Sequence, residues 1–241
     1  MTVQISVIIP TLNEATRIGA AIQSAVRNDA DQVIVVDGGS TDQTMQIAQS
    51  LPACVVQAKQ GRGHQLNAGV ERASNEVILF LHADNVLSDG CLNQIRSELS
   101  SHSAAQIVGG GFRQRIEHDG SVFRLIEAGN AWRANRLGLY YGDQAIFVRR
   151  QVLEAIGGVP VLPLMEDVQL IRQVRRHGHL VMLPGPVHIS SRRWQQHGIV
   201  RQTLRNWATL AAYFAGVPPR QLAKFYPAHA GSRPSRDTAH K

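Results

Sequence analysis

Four short aliphatic runs, each closed by a loop and the first three followed by a helical stretch, constrain the fold of this chain more than any other feature. Residues 5–9, 33–36, 54–57 and 77–81 are rich in Ile and Val, and Pro10 ends the first. Between them, residues 14–27 show helical spacing with Ile18, Ile22 and Val26 on one face, and residues 41–49 and 63–72 also read as helical. Strands that are apolar on both faces must be covered on both faces. The alternation therefore predicts an α/β fold, a Rossmann-like mostly parallel sheet with helices on both sides. Right-handed crossovers then place the strand C-termini on one edge, and ligands bind outside that edge. The residues directly after each strand are the ones to inspect for chemistry.

The second half is less regular. Residues 106–115 read as a strand running through Gly109, Gly110 and Gly111, and 145–148 as another. Residues 122–136, 165–176 and 198–215 read as helices, the last with Val200, Leu204, Trp207, Ala211 and Phe214 on one face.

Composition narrows the function classes. Of 241 residues 44% are hydrophobic, enough for a core, and the formal charge of +7 favours anionic partners. Aromatic residues are only 5% and no RNA-binding signature interleaves them with basic residues, which counts against a nucleic-acid-binding protein. Cys54 and Cys91 lack metal-ligand spacing and read as buried free thiols of a reducing compartment. No run approaches the ~20 apolar residues of a membrane span, and no signal-type stretch opens the chain. The expectation is a cytoplasmic protein, with peripheral contact to the inner face of the membrane left open. That option comes from Arg201 and Arg205 beside the apolar face of the 198–215 helix. Packing of that face on the core or on a subunit partner is the favoured alternative.

The strand-end loops carry the candidates. Pro10-Thr11-Leu12-Asn13-Glu14 follows the first strand; Thr11 or Asn13 suits a helix cap, and Glu14 with the loop backbone suits a nucleoside. Asp37-Gly38-Gly39-Ser40-Thr41-Asp42 follows the second, where Gly39 lets a ligand approach the backbone. A tight turn with a Ser40/Thr41 cap explains that glycine and serine but leaves Asp37 for a base or ribose. Arg62, Gln65 and Asn67 lie in a Gly-rich stretch that opens a helix, a weak diphosphate signal. His82-Ala83-Asp84-Asn85 follows the fourth strand, and Asp84 there suits Mg²⁺ or Mn²⁺ as readily as it suits a helix cap. Glu166 and Asp167 open a later helix, where the dipole alone favours acids and a general base is the functional alternative.

In this order the segments PTLNE, DGGSTD, GRGHQLNAG, HADN and MEDVQL resemble the family 2 glycosyltransferases of the GT-A fold, over roughly residues 4–180. Gly142-Asp143-Gln144-Ala145, the 163–167 segment and Ser190-Ser191-Arg192-Arg193-Trp194 further resemble a bacterial subgroup associated with radical-SAM or arsenosugar gene neighbourhoods. The resemblance implies one domain over residues 1–227: a nucleotide-binding half (1–100), an acceptor half (101–190) and C-terminal helices (191–227). A basic tail over 228–241 is expected to be disordered. It implies nucleoside contacts from Pro10, Glu14 and Asp37, with Thr11, Asn13, Gly39, Gln65, Asn67, His82, Ala83 and Asp143 as further substrate-binding candidates. Arg62 would lie near the diphosphate, with Arg192 and Arg193 adding charge over it or forming a plain surface pair. Asp84 matches the last acid of the metal-binding D-x-D element, His82 standing where its first acid is usual. Asp167 matches the base, with Glu166 beside it. The reaction implied is a metal-assisted inverting transfer from a nucleotide-diphosphate sugar to an acceptor hydroxyl. A sugar-phosphate nucleotidyltransferase is the rival, though such enzymes carry a Gly-rich loop where Pro10 to Glu14 stands here.

Overall fold

A computed structural model describes residues 2–101 and 106–225; the tail expected over 228–241 lies outside them. The first four aliphatic runs form β1 (Ile5–Thr11), β2 (Gln32–Asp37), β3 (Cys54–Gln57) and β4 (Val77–Phe80). They pair in parallel in the order β3-β2-β1-β4. The helices between them are α1 (Ile18–Arg27), α2 (Thr44–Gln49) and α3 (Arg62–Arg72).

Strand alternation divides the side chains between two cores. Ile5, Val7, Ile9, Val35 and Leu79 point to one face, where Ile18 and Ile22 of α1 meet them. Ile8, Ile34, Val36, Ile78 and Phe80 point to the other, where Leu66 of α3 lies. Burial of each such side chain contributes about 1.5–3 kcal/mol, so both faces are held by the same strands. Two sequence readings need correction here. The face of α1 that packs is Ile18, Ala21, Ile22 and Ala25, while Val26 is exposed, because steps of four residues drift round a helix of about 3.6 residues per turn. Cys54 lies on the outermost strand and is exposed; only Cys91 is buried, and burial pushes its thiol up to about 12.

The rest of the described chain extends the same sheet with mixed polarity. It adds β5 (Asn85–Leu87), α4 (Cys91–Leu99), β6 (Ile107–Ile116), α5 (Ser121–Leu137), β7 (Phe147–Arg149), α6 (Arg150–Ala155), α7 (Glu166–Val174) and β8 (His179–Ile189). β7 runs antiparallel to both β4 and β6, β6 and β8 are parallel, and β5 is antiparallel to β8. The full order is β3-β2-β1-β4-β7-β6-β8-β5, so strands from both halves share one eight-stranded sheet. α8 (Arg192–His197), α9 (Ile199–Phe214) and α10 (Pro219–Phe225) close the described chain.

Of the two packings expected for the apolar face of α9, on the core or on a subunit partner, the core accounts for little. Its buried side chains are Gln202 and Leu210, whereas Val200, Leu204, Trp207 and Phe214 are exposed. Val200 and Leu204 are the most exposed of that face, while Trp207 borders a cavity beside α5 and the Arg172 guanidinium of α7 stands 5.6 Å over the Phe214 ring.

Candidate active site

The loops after β1 and β2 are locked to one another. Asn13 adopts φ 53°, donates its N–H to Ser40 Oγ at 2.9 Å, and accepts the Thr41 N–H on Oδ1 at 2.8 Å. It therefore braces the neighbouring loop and does not cap α1, which carries no side-chain cap. Asp37 Oδ2 accepts the N–H groups of Gly39 and Ser40, each at 2.9 Å, and Oδ1 accepts the Ser40 hydroxyl. The turn thus accounts for Asp37 as well as for the glycines, contrary to the sequence reading. Gly39 has φ 99° and open space at its Cβ position, so its backbone stays approachable.

Gln65 and Asn67 also brace the site. Gln65 Nε2 donates to Thr11 O at 2.8 Å and Val36 O at 2.9 Å, tying together the C-terminal ends of β1 and β2. Asn67 exchanges two 2.8 Å hydrogen bonds with the Val159 backbone. Both are candidates for substrate contact, and the structure gives each a framework role. Pro10 is a β1 residue paired with Val36.

Glu14 is the unusual acid of the first loop. It is 8% exposed, Oε1 accepts Arg192 Nη2 at 3.4 Å, and Oε2 is buried without a partner among the described residues. Thr11 Oγ1 is in the same position. Burial first, and then the charge of Asp84, raise the Glu14 carboxyl above its ordinary range, against the opposing pull of Arg192 and Arg17. Arg192, at the start of α8, thereby reaches back to the first strand-end loop. The Arg193 side chain lies outside the described set.

The third loop is a turn in which Asn85 N donates to His82 O at 3.0 Å, with Ala83 and Asp84 at its apex. Ala83 is buried, while Asp84 opens onto a cavity of about 230 Å³ walled by Thr16, Arg17 and Glu117. Asn85 Nδ2 donates to Asp143 O at 3.2 Å, joining this turn to the short helical turn Gly142–Gln144.

Asp167 faces that turn. Its Oδ2 accepts the Gly142 N–H at 2.7 Å and its Oδ1 accepts Val168 N–H of its own helix at 2.7 Å. A Cβ on Gly142 would lie 2.6 Å from His82 Nε2 and 3.4 Å from Asp167 Oδ2, so the imidazole and the carboxylate flank one point. The preceding residue, Met165, holds φ 66°, a left-handed conformation that a side chain adopts at a cost. Glu166 is 3% exposed and its Oε1 receives Arg62 Nη1 at 2.8 Å, with Arg62 30% exposed. Burial raises the Glu166 carboxyl, Arg62 opposes the rise, and Asp167 adds to it. Burial would lower Arg62, but the charges of Glu166, Asp167 and Asp84 outweigh it.

Three loops and two helix starts therefore converge on the strand C-terminal edge. Among the described residues no three His, Cys, Asp or Glu side chains cluster to hold a metal. The donor set, Asp84 with Glu14 in electrostatic reach, suits a Mg²⁺-type ion, which uses one or two carboxylates and completes its shell with phosphate oxygens and water.

The sequence reading missed Arg133. This α5 residue is 3% exposed and its guanidinium lies 3.5 Å over the Tyr141 ring. It donates to Gln144 Oε1 at 3.1 Å and Leu139 O at 3.1 Å. Burial lowers its pKa, while Tyr141, Asp143 and Asp167 pull the other way. The only signal in the sequence was an arginine on a half-apolar helix, which is the ordinary pattern of a solvated face.

The architecture is that of the GT-A glycosyltransferases. PcManGT from Pyrobaculum calidifontis, solved with GDP-Man and Mn²⁺, aligns with a TM-score of 0.66 at 19% identity, covering 93% of this chain and 68% of its own. TarS 1–349 of S. aureus, solved with UDP-GlcNAc, aligns at 0.61 and 20% identity, covering 78% and 58%. A PGL/p-HBAD biosynthesis glycosyltransferase of Mycobacterium tuberculosis is 32% identical over 165 residues, covering 63% of this chain and 61% of the relative. This chain thus spans about three fifths of that relative's length. The sequence model of glycosyl transferase family 2 matches residues 6–154, and the chain belongs to that family.

Proposed function

We propose that the protein transfers a sugar from a nucleotide-diphosphate sugar to an acceptor hydroxyl by a single inverting displacement. The observation that carries the reading is that Glu14 from the β1 loop, His82 and Asp84 from the turn after β4, and Arg62 and Asp167 from the starts of α3 and α7 act on one another electrostatically or flank one point. Glu14 and Thr11 offer buried, unpartnered oxygens to the hydroxyls and N–H groups of a nucleoside. The Gly39 backbone lies open beside them. Arg62 and Arg192 supply positive charge to the diphosphate, which planar guanidinium groups bind well. Asp84 would hold Mg²⁺ or Mn²⁺, whose chemistry is to neutralise the leaving diphosphate. The complexes of PcManGT with GDP-Man and Mn²⁺ and of TarS with UDP-GlcNAc support this donor class.

Asp167 acts as the base. Each of its oxygens accepts one N–H and keeps further lone-pair capacity for an acceptor proton. The acceptor oxygen bonds to the anomeric carbon as the bond to the diphosphate breaks, and its proton passes to Asp167. His82 helps to orient the reacting hydroxyl across Gly142.

The exposed face of α9 and Phe225 supports peripheral contact with an anionic membrane. No Asp or Glu occurs between Asp167 and Asp237, while Arg201, Arg205, Arg220 and Lys224 lie on α9 and α10. Co-sedimentation with phosphatidylglycerol vesicles but not phosphatidylcholine vesicles is the expected result; equal binding to both removes the electrostatic part.

The donor reading is tested by a thermal-shift series with UDP-GlcNAc, UDP-glucose, GDP-mannose and a dTDP-sugar, with and without Mn²⁺. A ligand that binds the folded state raises the melting temperature. Asp84→Asn is expected to lose the Mn²⁺-dependent part of the shift. No shift with any of the donors overturns the proposal.

A further inference from the structure

A cavity of about 240 Å³ opens between α5 and α9, and Asp143 on its wall is tied to the turn that holds Asp84 by the Asn85 Nδ2–Asp143 O hydrogen bond at 3.2 Å. Its walls change character along α5. Leu125 at the outer end is 73% exposed, Gly129 follows one turn on, and Arg133, a turn deeper, is 3% exposed. Trp207 of α9 also lines the cavity. Asp143 and Tyr141 line the inner end, and Asp143 is the neighbour of Gly142, whose N–H is bonded to Asp167 Oδ2. The cavity is therefore apolar at its mouth and polar at a floor two residues' reach from the proposed base.

Gly129 is informative. Glycine inside a helix is less stable than alanine, so a steric reason is expected. Here there is none: a Cβ at Gly129 would meet nothing within 4 Å. The missing side chain leaves room in the cavity and relieves no clash. Two wall atoms, Trp194 Nε1 and Thr203 Oγ1, are also buried without hydrogen-bond partners among the described residues.

We infer that this cavity is the acceptor site and that the acceptor is an amphiphile, a hydroxyl-bearing head joined to an apolar ring or chain. The head lies toward Arg133, Tyr141 and Asp143 with its hydroxyl directed to Asp167. The apolar part lies along Gly129 and exits between Leu125 and Trp207. This assignment rests on the glycosyltransfer reading above.

The test uses the full chain and the fluorescence of its tryptophans, of which Trp194 and Trp207 line the cavity. n-Octyl-β-D-glucoside, below its micelle concentration, is compared with methyl-β-D-glucoside. Burial of even part of the longer chain makes the octyl compound bind at least about tenfold more tightly. Gly129→Phe fills the cavity and is expected to remove that preference while leaving the melting temperature and the donor-induced shift with UDP-GlcNAc or GDP-mannose unchanged. Leu125→Asn, at the exposed mouth, weakens octyl binding in the same direction should Gly129→Phe fold poorly. A donor shift without any octyl preference, or octyl binding undiminished in both variants, overturns the acceptor assignment alone. The absence of any donor shift in the unmodified protein sinks the glycosyltransfer reading and the assignment with it.

Discussion

Gly142 gives its backbone N–H to Asp167 Oδ2 at 2.7 Å, and the space where its side chain would stand is occupied by His82 Nε2, 2.6 Å from the Cβ position. The aim of the carboxylate is thus set by a residue whose lack of a side chain is itself required. Gly142→Ala forces the imidazole or the helical turn to shift, and a displacement of about 1 Å at a reacting group lowers turnover by roughly a hundredfold. The variant is expected to lose kcat while its donor-induced thermal shift persists. Asp167→Asn has the same signature with a larger loss, since the amide cannot take the proton. Loss of donor binding in either variant would place these residues on the donor instead.

Glu14 makes stability depend on pH in a defined direction. Its carboxyl is raised in the folded protein above the ordinary 4.5, by burial first and Asp84 second. The folded state then binds its proton more tightly than the unfolded chain does. The stabilisation from that proton is complete below the unfolded value and is lost as pH rises through the folded one. Glu14→Gln removes the titration. The variant's melting temperature is expected to exceed that of the parent increasingly as pH rises from about 4.5 toward neutrality. A gap that is constant over this range speaks against the burial argument. Donor binding should weaken at the same time.

Arg62 and Glu166 form a pair in which the acid is buried and the base is 30% exposed. Removing one partner of a fully buried pair costs about 3–5 kcal/mol, and partial exposure of Arg62 reduces this to roughly 1–3. Arg62→Met leaves Glu166 without its cation beside Asp167, so both stability and activity are expected to fall. Adding Glu166→Gln should recover much of the stability and little of the activity, because the positive charge facing the diphosphate is still missing. Full recovery of activity in the double variant would make Arg62 purely structural. Chemical denaturation and initial rates at saturating donor separate the two.

The parts of the fold that could be read from the sequence are those whose burial is written locally. β1, β2 and β4 are aliphatic on both faces and end at Thr11, Asp37 and Phe80, so the strands and the candidate loops appear together, although Pro10, which the sequence suggests as the end of β1, is still paired within it. β8 carries His179, Pro184, Gly185, Pro186 and His188, a pattern that local preference does not assign to a strand, and its pairing with β6 and β5 is a tertiary fact. The site divides in the same way. Glu14 and Asp84 are acids at strand ends, where an acid is conspicuous. Arg133 is one of several arginines on helices, and its burial depends on Tyr141 and Gln144, which lie beyond its own helix. Asp37 closes a local turn onto Gly39 and Ser40, whereas the partners of Gln65 and Asn67 are main-chain groups distant in sequence whose positions no spacing reveals.

Gln65 shows how a framework residue and a substrate contact can be told apart. Its side-chain amide bonds to Thr11 O at 2.8 Å and Val36 O at 2.9 Å, and Gly38 leaves just enough room, with its Cβ position 3.0 Å from Gln65 Cδ. Thr11 O also accepts Gly38 N at 2.9 Å, so it keeps one partner if the amide is removed. Gln65→Met keeps the side-chain volume and deletes both bonds, which costs about 1–3 kcal/mol for the acceptors left in a buried site. The melting temperature should fall accordingly, while the donor KM measured well below that temperature stays within about twofold of the parent. Gln65→Glu is expected to be worse, because it sets a carboxylate against two carbonyl oxygens. A large rise in donor KM for Gln65→Met with no loss of stability would return Gln65 to the substrate-binding set.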